Sequence, residues 1–468
     1  MKKGSKNSIK HVTVFIVIIF ALLIGVTFKI SVVDSKTMIV NAYNPRINQA
    51  NSSIKRGSIM DIDGYVYAYS EKDGDTYKRV YNDVQSSAHV VGYVNPGKSG
   101  IEASGNFTLE HVSNEFIQRL SAFFTDGDVE GDSIYLTIDK DLQDIASNLM
   151  KTNKGAVVVE EVSTGRILAM VSKPDFDPST ISSDWESINN DEDSPLLNRA
   201  VSGEYTPGSV FKIITTVSAI RNMDDLDSLS FECDSDAEYE DKVIHCYNNK
   251  AHGTQNIVQA FANSCNTAYS LLGYKLGAAT LRQTADELLF NEPLNFSLGS
   301  STPKVLLDSS SSVSELVETA IGQGKTTVTP LYMASLASAI ANNGIMMQPY
   351  IVDHVESYNG KTVSVTVPES YATIFTAEEC EKLKEMMIAV VNEGTGYNAN
   401  SEYFQVAGKT GTAENPGGND HLWFVGFAPA DNPQYAVSVV LENGDGSANA
   451  SVIARKMLYN AINREDLN

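Results

Sequence analysis

Two apolar runs, Gly155 to Glu160 and Arg166 to Ser172, flank the turn Ser163-Thr164-Gly165 and read as paired strands. Three more, Phe404 to Ala407, Leu422 to Ala428 and Tyr435 to Leu441, come far downstream, and Ser447 to Asn463 reads as a closing helix. The stretch between, from about Pro207 to Asn343, is mostly helical. Thr329 and Pro330 open one helix in it and Gly344 stops it. Glu379 to Asn392 is another helix, ending at Gly394. A strand pair, a helical insertion, three strands and a final helix imply an α+β domain: an antiparallel sheet covered by helices, plus a helical subdomain.

The domain begins near Asp132, where Ile134 to Ile138 reads as a strand and Asp139 caps a helix running to about Lys151. Residues 34–131 read as a small β-rich module, with strand-like Tyr65 to Ala68 and Tyr77 to Tyr81 and hairpin turns at Asp63-Gly64 and Asp73-Gly74. The acidic segments 183–194 and 224–242 read as solvated loops.

Ahead of the module lies an uncharged run, Val12 to Phe28, preceded by Lys2, Lys3, Lys6 and Lys10. Its length and flanking charge predict an uncleaved transmembrane anchor over 12–33, with a cytoplasmic tail at 1–11 and an extracytoplasmic body. A cleaved signal peptide is the competing reading, but no small-x-small site follows the run. The net charge of -23 excludes a nucleic-acid partner, which requires a basic surface.

Three motifs occur in order. Ser209-Val210-Phe211-Lys212 follows Pro207-Gly208 at a helix start, where residues three apart share a face. A serine hydroxyl needs a base to take its proton, and a lysine serves only if its environment keeps it neutral. Ser264-Cys265-Asn266 offers a hydroxyl for proton relay and an amide to hold substrate. Lys409-Thr410-Gly411-Thr412, at the end of the Phe404 to Ala407 strand, offers a cation, a bare backbone and two hydroxyls to a carboxylate. Each motif alone is weak. Together and in order they form the S-x-x-K, S-x-N and K-T-G set of the serine β-lactamase and DD-peptidase superfamily.

On these motifs the chain resembles a class B penicillin-binding protein. The likeness extends to Arg56-Gly57-Ser58-Ile59-Met60-Asp61, Gly92-Tyr93, Gly100-Ile101-Glu102, Leu136-Thr137-Ile138-Asp139, Gly322-Gln323-Gly324 and Trp423 to Pro429. The resemblance implies a peptidoglycan D,D-transpeptidase with its transpeptidase domain at 132–468 and no cofactor. Ser209 would attack the D-Ala-D-Ala carbonyl of a donor stem peptide, with Lys212 as base. Ser264, assisted by Lys409, would relay a proton to the departing D-alanine, and Asn266 would bind the substrate amide. Thr410, Gly411 and Thr412 would form the substrate-binding strand, and the amides of Ser209 and Thr412 the oxyanion hole. An amine of a neighbouring stem peptide would resolve the acyl-enzyme. β-Lactams would acylate Ser209 and remain. Only about 100 residues lie between the anchor and the domain, too few for a glycosyltransferase. The family therefore implies a separate SEDS-type membrane glycosyltransferase as partner.

Two other readings remain open: a hydrolase (D,D-carboxypeptidase or β-lactamase) or sensor, and a non-catalytic activator of the polymerase. Glu292-Pro293-Leu294-Asn295 is one residue short of the deacylating E-x-x-L-N loop of class A β-lactamases and reads as a turn. Cys265 stands where those enzymes have Asp. Cys233 and Cys246 form either a disulfide or a pair of thiols. With His245 and His252 they make a possible zinc cluster, but no tightly spaced ligand pair supports one, so no metal is expected. Cys265 and Cys380 read as buried small apolar residues.

Overall fold

The computed structural model describes residues 3–28, 54–74, 76–112, 118, 128–415, 418–444 and 447–464, with side chains of the first helix described over 11–23. Five strands form one antiparallel sheet in the order Ala407–Ala413, His421–Ala428, Tyr435–Leu441, Gly155–Glu161, Ile167–Lys173. Strand alternation sends successive side chains to opposite faces. Val157, Val159, Val437 and Val439 pack with the helices Lys140–Met150 and Ala450–Ile462. Ala156, Val158 and Val440 belong to the larger core on the other face, which the wholly buried helix Pro330–Ala341 shares. The expected α+β layering is therefore present.

Local capping accounts for several helix starts. The Asp139 side chain accepts from the Leu142 amide, and Thr329 accepts from Tyr332. Thr376 and Glu379 form a capping box at Ala377–Asn392.

A second sheet has the order Thr362–Val365, Val352–Glu356, Ser133–Leu136, Ile59–Met60, Val66–Asp73, Thr76–Tyr81. Strands on either side of residue 132 thus share one sheet, which joins the module to the larger domain. The segments around Arg56 and Glu102 meet there. Arg56 donates to Glu102 Oε2 at 2.7 Å and Arg79 to Glu102 Oε1 at 2.6 Å. Burial opposes ionisation of Glu102, but the two guanidinium groups outweigh it and hold its pKa below the usual value. Gly57 fits because an added Cβ would lie 2.0 Å from the Asp132 carbonyl oxygen.

Three expectations are corrected. The K-T-G residues lie inside the strand Ala407–Ala413, not beyond the end of one over 404–407. The segment 224–242 is not simply a solvated loop: Phe231–Cys233 and Asp236–Tyr239 are strands, and Leu226, Phe231 and Cys233 are buried. Residues Ile181–Asn189 form a helix that overlaps the loop expected at 183–194.

The uncharged N-terminal run lies in one helix, Lys3–Phe28. Among the described residues, no helix is long and apolar enough to cross a membrane. Residues 29–33 of the expected anchor and 34–53 of the expected module lie outside the described residues.

Candidate active site

Ser209 sits half-buried on a one-turn 3-10 segment, Gly208–Phe211, that runs directly into the helix Lys212–Asn222. In a 3-10 turn residues three apart eclipse one another, so Ser209 and Lys212 share an edge. The turn is held from three directions. The Gly208 amide donates to the Gly322 carbonyl at 2.9 Å, and the Trp423 indole donates to the Thr206 carbonyl at 3.1 Å. From the third side the strand Ala407–Ala413 presses so closely that a Cβ on Gly208 would stand 2.3 Å from the Thr412 oxygen. Gly208 also has φ +54°, which a side chain would strain. A Cβ on Gly411 would meet the Pro207 oxygen at 2.9 Å. The serine turn and the K-T-G strand therefore touch backbone to backbone.

The second motif lies between the helices Ile257–Ala262 and Asn266–Leu276. Ser264 occupies the left-handed region, with φ +55°. For a non-glycine residue that costs on the order of 1–3 kcal/mol, and such strain clusters at functional sites. Two backbone bonds fix it: Ser264 N–H to Phe261 O at 3.1 Å and Cys265 N–H to Ala260 O at 2.9 Å.

These elements bring the polar groups together. Lys212 Nζ donates to the Ser264 carbonyl at 2.6 Å and to Asn266 Oδ1 at 2.7 Å, and lies 3.2 Å from Ser264 Oγ. Lys409 Nζ donates to Ser264 Oγ at 2.9 Å and to the Thr410 carbonyl at 3.1 Å. Asn266 Nδ2 donates to the His245 carbonyl at 2.8 Å, which fixes the amide so that its oxygen faces Lys212. One serine oxygen thus bridges two lysines.

Both lysines are fully buried, and among the described residues neither has a carboxylate within ion-pair distance. Water is lost without a compensating anion, so the ammonium form is disfavoured. Burial brings Lys212 down to about 7. Lys409 is held well below its ordinary value by burial and then by the charge of Lys212. A neutral Lys212 can donate two hydrogens to the Ser264 carbonyl and Asn266 and keep a lone pair for a hydroxyl proton.

Along the third motif Lys409 and Gly411 are buried and alternate with half-buried Thr410 and Thr412. Among the described residues the strand pairs only with His421–Ala428, so its other edge is unpaired within the sheet. An extended peptide can add to such an edge. Thr395, which the sequence reading did not single out, shares a 2.6 Å hydroxyl–hydroxyl hydrogen bond with Thr410. Gly322 had no assigned role but buttresses the serine turn. Thr395 carries no local signal and Gly322 only its place in the Gly322-Gln323-Gly324 likeness, because both act through contacts distant in sequence.

His245 does not join the cysteines; its ring faces Asp236 Oδ1 at 2.8 Å. All four cysteines are free thiols.

A family model described as the penicillin binding protein transpeptidase domain matches residues 155–463. The chain belongs to the class B penicillin-binding proteins. A second model, the penicillin binding protein A dimerisation domain, matches residues 56–134. The chain is 33% identical to the peptidoglycan D,D-transpeptidase PbpA of Mycolicibacterium smegmatis, over 97% of this chain and 99% of that one. Among solved structures it is similar to penicillin-binding protein A of M. tuberculosis in its imipenem acyl-enzyme complex, with TM-score 0.82 and 31% identity over 88% of this chain and 99% of that one. It is similar also to a D,D-transpeptidase domain from Eggerthella lenta, with TM-score 0.81 and 32% identity over 89% of this chain and 100% of that one.

Proposed function

We propose that Ser209 is the acyl-carrying nucleophile of this peptidoglycan D,D-transpeptidase. The observation that carries the assignment is the Ser264 hydroxyl bridging two buried lysines beside the Ser209 turn. Lys212, neutral for part of the time near pH 7, takes the Ser209 proton as Oγ attacks the D-Ala-D-Ala carbonyl. The amides of Ser209 and Thr412 receive the developing oxyanion; the close backbone approach at Gly208 supports this pairing. Asn266 holds the donor amide. Lys409, Thr410 and Thr412 hold the terminal carboxylate, with Gly411 leaving room for substrate backbone.

The C–N bond breaks as a proton passes through Ser264 to the departing D-alanine amine. A neighbouring stem-peptide amine then attacks the ester, forms the crosslink and returns the proton. β-Lactams enter as donor mimics and acylate the same oxygen.

The protein acts from the cell membrane. The lysines ahead of Val12 and the helical setting of the uncharged run support an anchor with its N-terminus inside and the catalytic domain extracytoplasmic. A SEDS-type membrane glycosyltransferase, gripped by the anchor and the module, supplies the glycan strands; this rests on the family resemblance.

The test is a crosslinking assay with D-Ala-D-Ala stem peptides and an amine acceptor, read by mass. Crosslinked dimer that disappears in Ser209→Ala is expected. Release of D-alanine with no dimer would favour the hydrolase, and undiminished dimer in Ser209→Ala would overturn the assignment.

A further inference from the structure

Cys265, the middle residue of the second motif, faces two other cysteines and a histidine. Its Sγ is 3.8 Å from Cys246 Sγ, which is 3.7 Å from Cys233 Sγ, and Cys233 Sγ is 3.3 Å from His252 Nδ1. All four ligand atoms lie within 4.8 Å of one another. A tetrahedral zinc with Zn–S of about 2.3 Å and Zn–N of about 2.0–2.1 Å requires S–S edges of about 3.8 Å and S–N edges of about 3.5 Å. The three shortest contacts match those edges closely, and the other three edges, within 4.8 Å, leave about an ångström at most to close around an ion. The sulfurs are far beyond the roughly 2.05 Å of a disulfide.

We propose that Cys233, Cys246, His252 and Cys265 bind a structural zinc ion that holds the Ser264–Asn266 segment of the active site in place.

Polar contacts surround Cys265 where a packed apolar thiol would have none. The Thr267 hydroxyl lies 3.1 Å from Cys265 Sγ. Cys265 itself is the N-cap of the helix Asn266–Leu276, whose exposed amides favour negative charge. The Thr267 hydroxyl provides an outer hydrogen bond of the kind that tunes zinc-bound sulfur. Soft thiolates with one imidazole in a closed tetrahedron select zinc, and four protein ligands leave no open position, so the ion is structural. Binding displaces up to three thiol protons to solvent and changes no oxidation state.

The ligands come from separate pieces. Cys233 ends the strand Phe231–Cys233, Cys246 follows Lys242–His245, and His252 precedes Gly253–Gln255. Two-stranded ribbons of this size are marginal on their own. A shared ion ties them to the strained Ser264 backbone. It also fixes the His245 carbonyl that orients Asn266.

The test uses the full-length protein, purified in detergent without chelator or added metal. Elemental analysis should give one zinc per chain, and X-ray absorption should show three sulfurs and one nitrogen around it. Titration with a mercurial thiol reagent should release that zinc in step with thiol loss. Cys233→Ser and His252→Ala should lower zinc occupancy at least tenfold, and zinc removal from the wild type should slow penicillin acylation at least tenfold, restored by added Zn(II). Less than a tenth of an equivalent of zinc before and after Zn(II) addition, or a Cys233–Cys246 disulfide in non-reducing peptide maps, would overturn the site. One equivalent of zinc whose removal leaves acylation unchanged would overturn its role in placing Ser264. Metal content is read independently of activity, so this result is separable from the transpeptidase assignment.

Discussion

The rate of acylation should follow the ionisation of Lys212. Burial without a carboxylate places its pKa at about 7. At pH 7 half of the enzyme then carries a neutral amine, against roughly one part in 2,500 for a lysine at its usual pKa of about 10.4. Burial thus raises the available base by about 10³-fold. The second-order acylation rate constant, measured by stopped flow with a chromogenic β-lactam from pH 5.5 to 9.5, should rise about tenfold per unit at the acid end, bend near 7 and level off above 8, about 30-fold over the whole range. Lys212→Arg should lose at least 10³-fold at every pH, because a guanidinium does not deprotonate. A profile flat through pH 7, or one still rising at pH 9, would refute the reasoning that burial makes Lys212 the base.

Three further outcomes follow from packing and charge. Glu160 is wholly buried beside Ser335, and desolvation raises its pKa to about 7. Between about 4.5 and 7 the folded state therefore binds more protons than the unfolded state, so this group's contribution to stability falls as pH rises through that window; Glu160→Gln should raise the melting temperature at pH 8 and leave it unchanged at pH 4.5. Gly208→Ala would place a Cβ 2.3 Å from the Thr412 oxygen at positive φ, and fluorescent-penicillin labelling should fall at least 100-fold while Ala200→Gly, away from the motifs, does not abolish it. Arg56→Met leaves the buried Glu102 carboxylate with one cation instead of two, and chemical denaturation should show a loss of about 3–5 kcal/mol.

Much of the sheet and the order of the motifs were readable from the sequence. Valine-rich runs marked Gly155–Glu161 and Tyr435–Leu441, and Thr329-Pro330 marked a helix start, whereas the helix expected from Glu379 begins at Ala377 behind its Thr376 cap. The K-T-G strand was misplaced because Gly408 and Gly411 weaken the local strand signal, while pairing with His421–Ala428 supplies the order. The ribbons over 231–255 were hidden by their acidic composition. Their inward residues, Phe231, Cys233, Ile244 and Cys246, are too few to show a period. The bridging of two lysines by Ser264 depends on side chains far apart in the chain, and so does the thiol cluster. The zinc reading at the sequence level included His245, but the fold turns that ring to Asp236 and brings in Cys265 instead. The contact between Arg56 and Glu102 brings together two of the separate stretches that carry the family likeness.

The central claim is that Ser209 carries the acyl group and releases it slowly to water. It is tested most directly by intact-protein mass spectrometry of the purified full-length chain after exposure to penicillin. The account predicts one stable penicilloyl adduct per chain, mapped to Ser209 and absent from Ser209→Ala. An unmodified protein in hydrolysed drug, or an adduct that persists in Ser209→Ala, would contradict it.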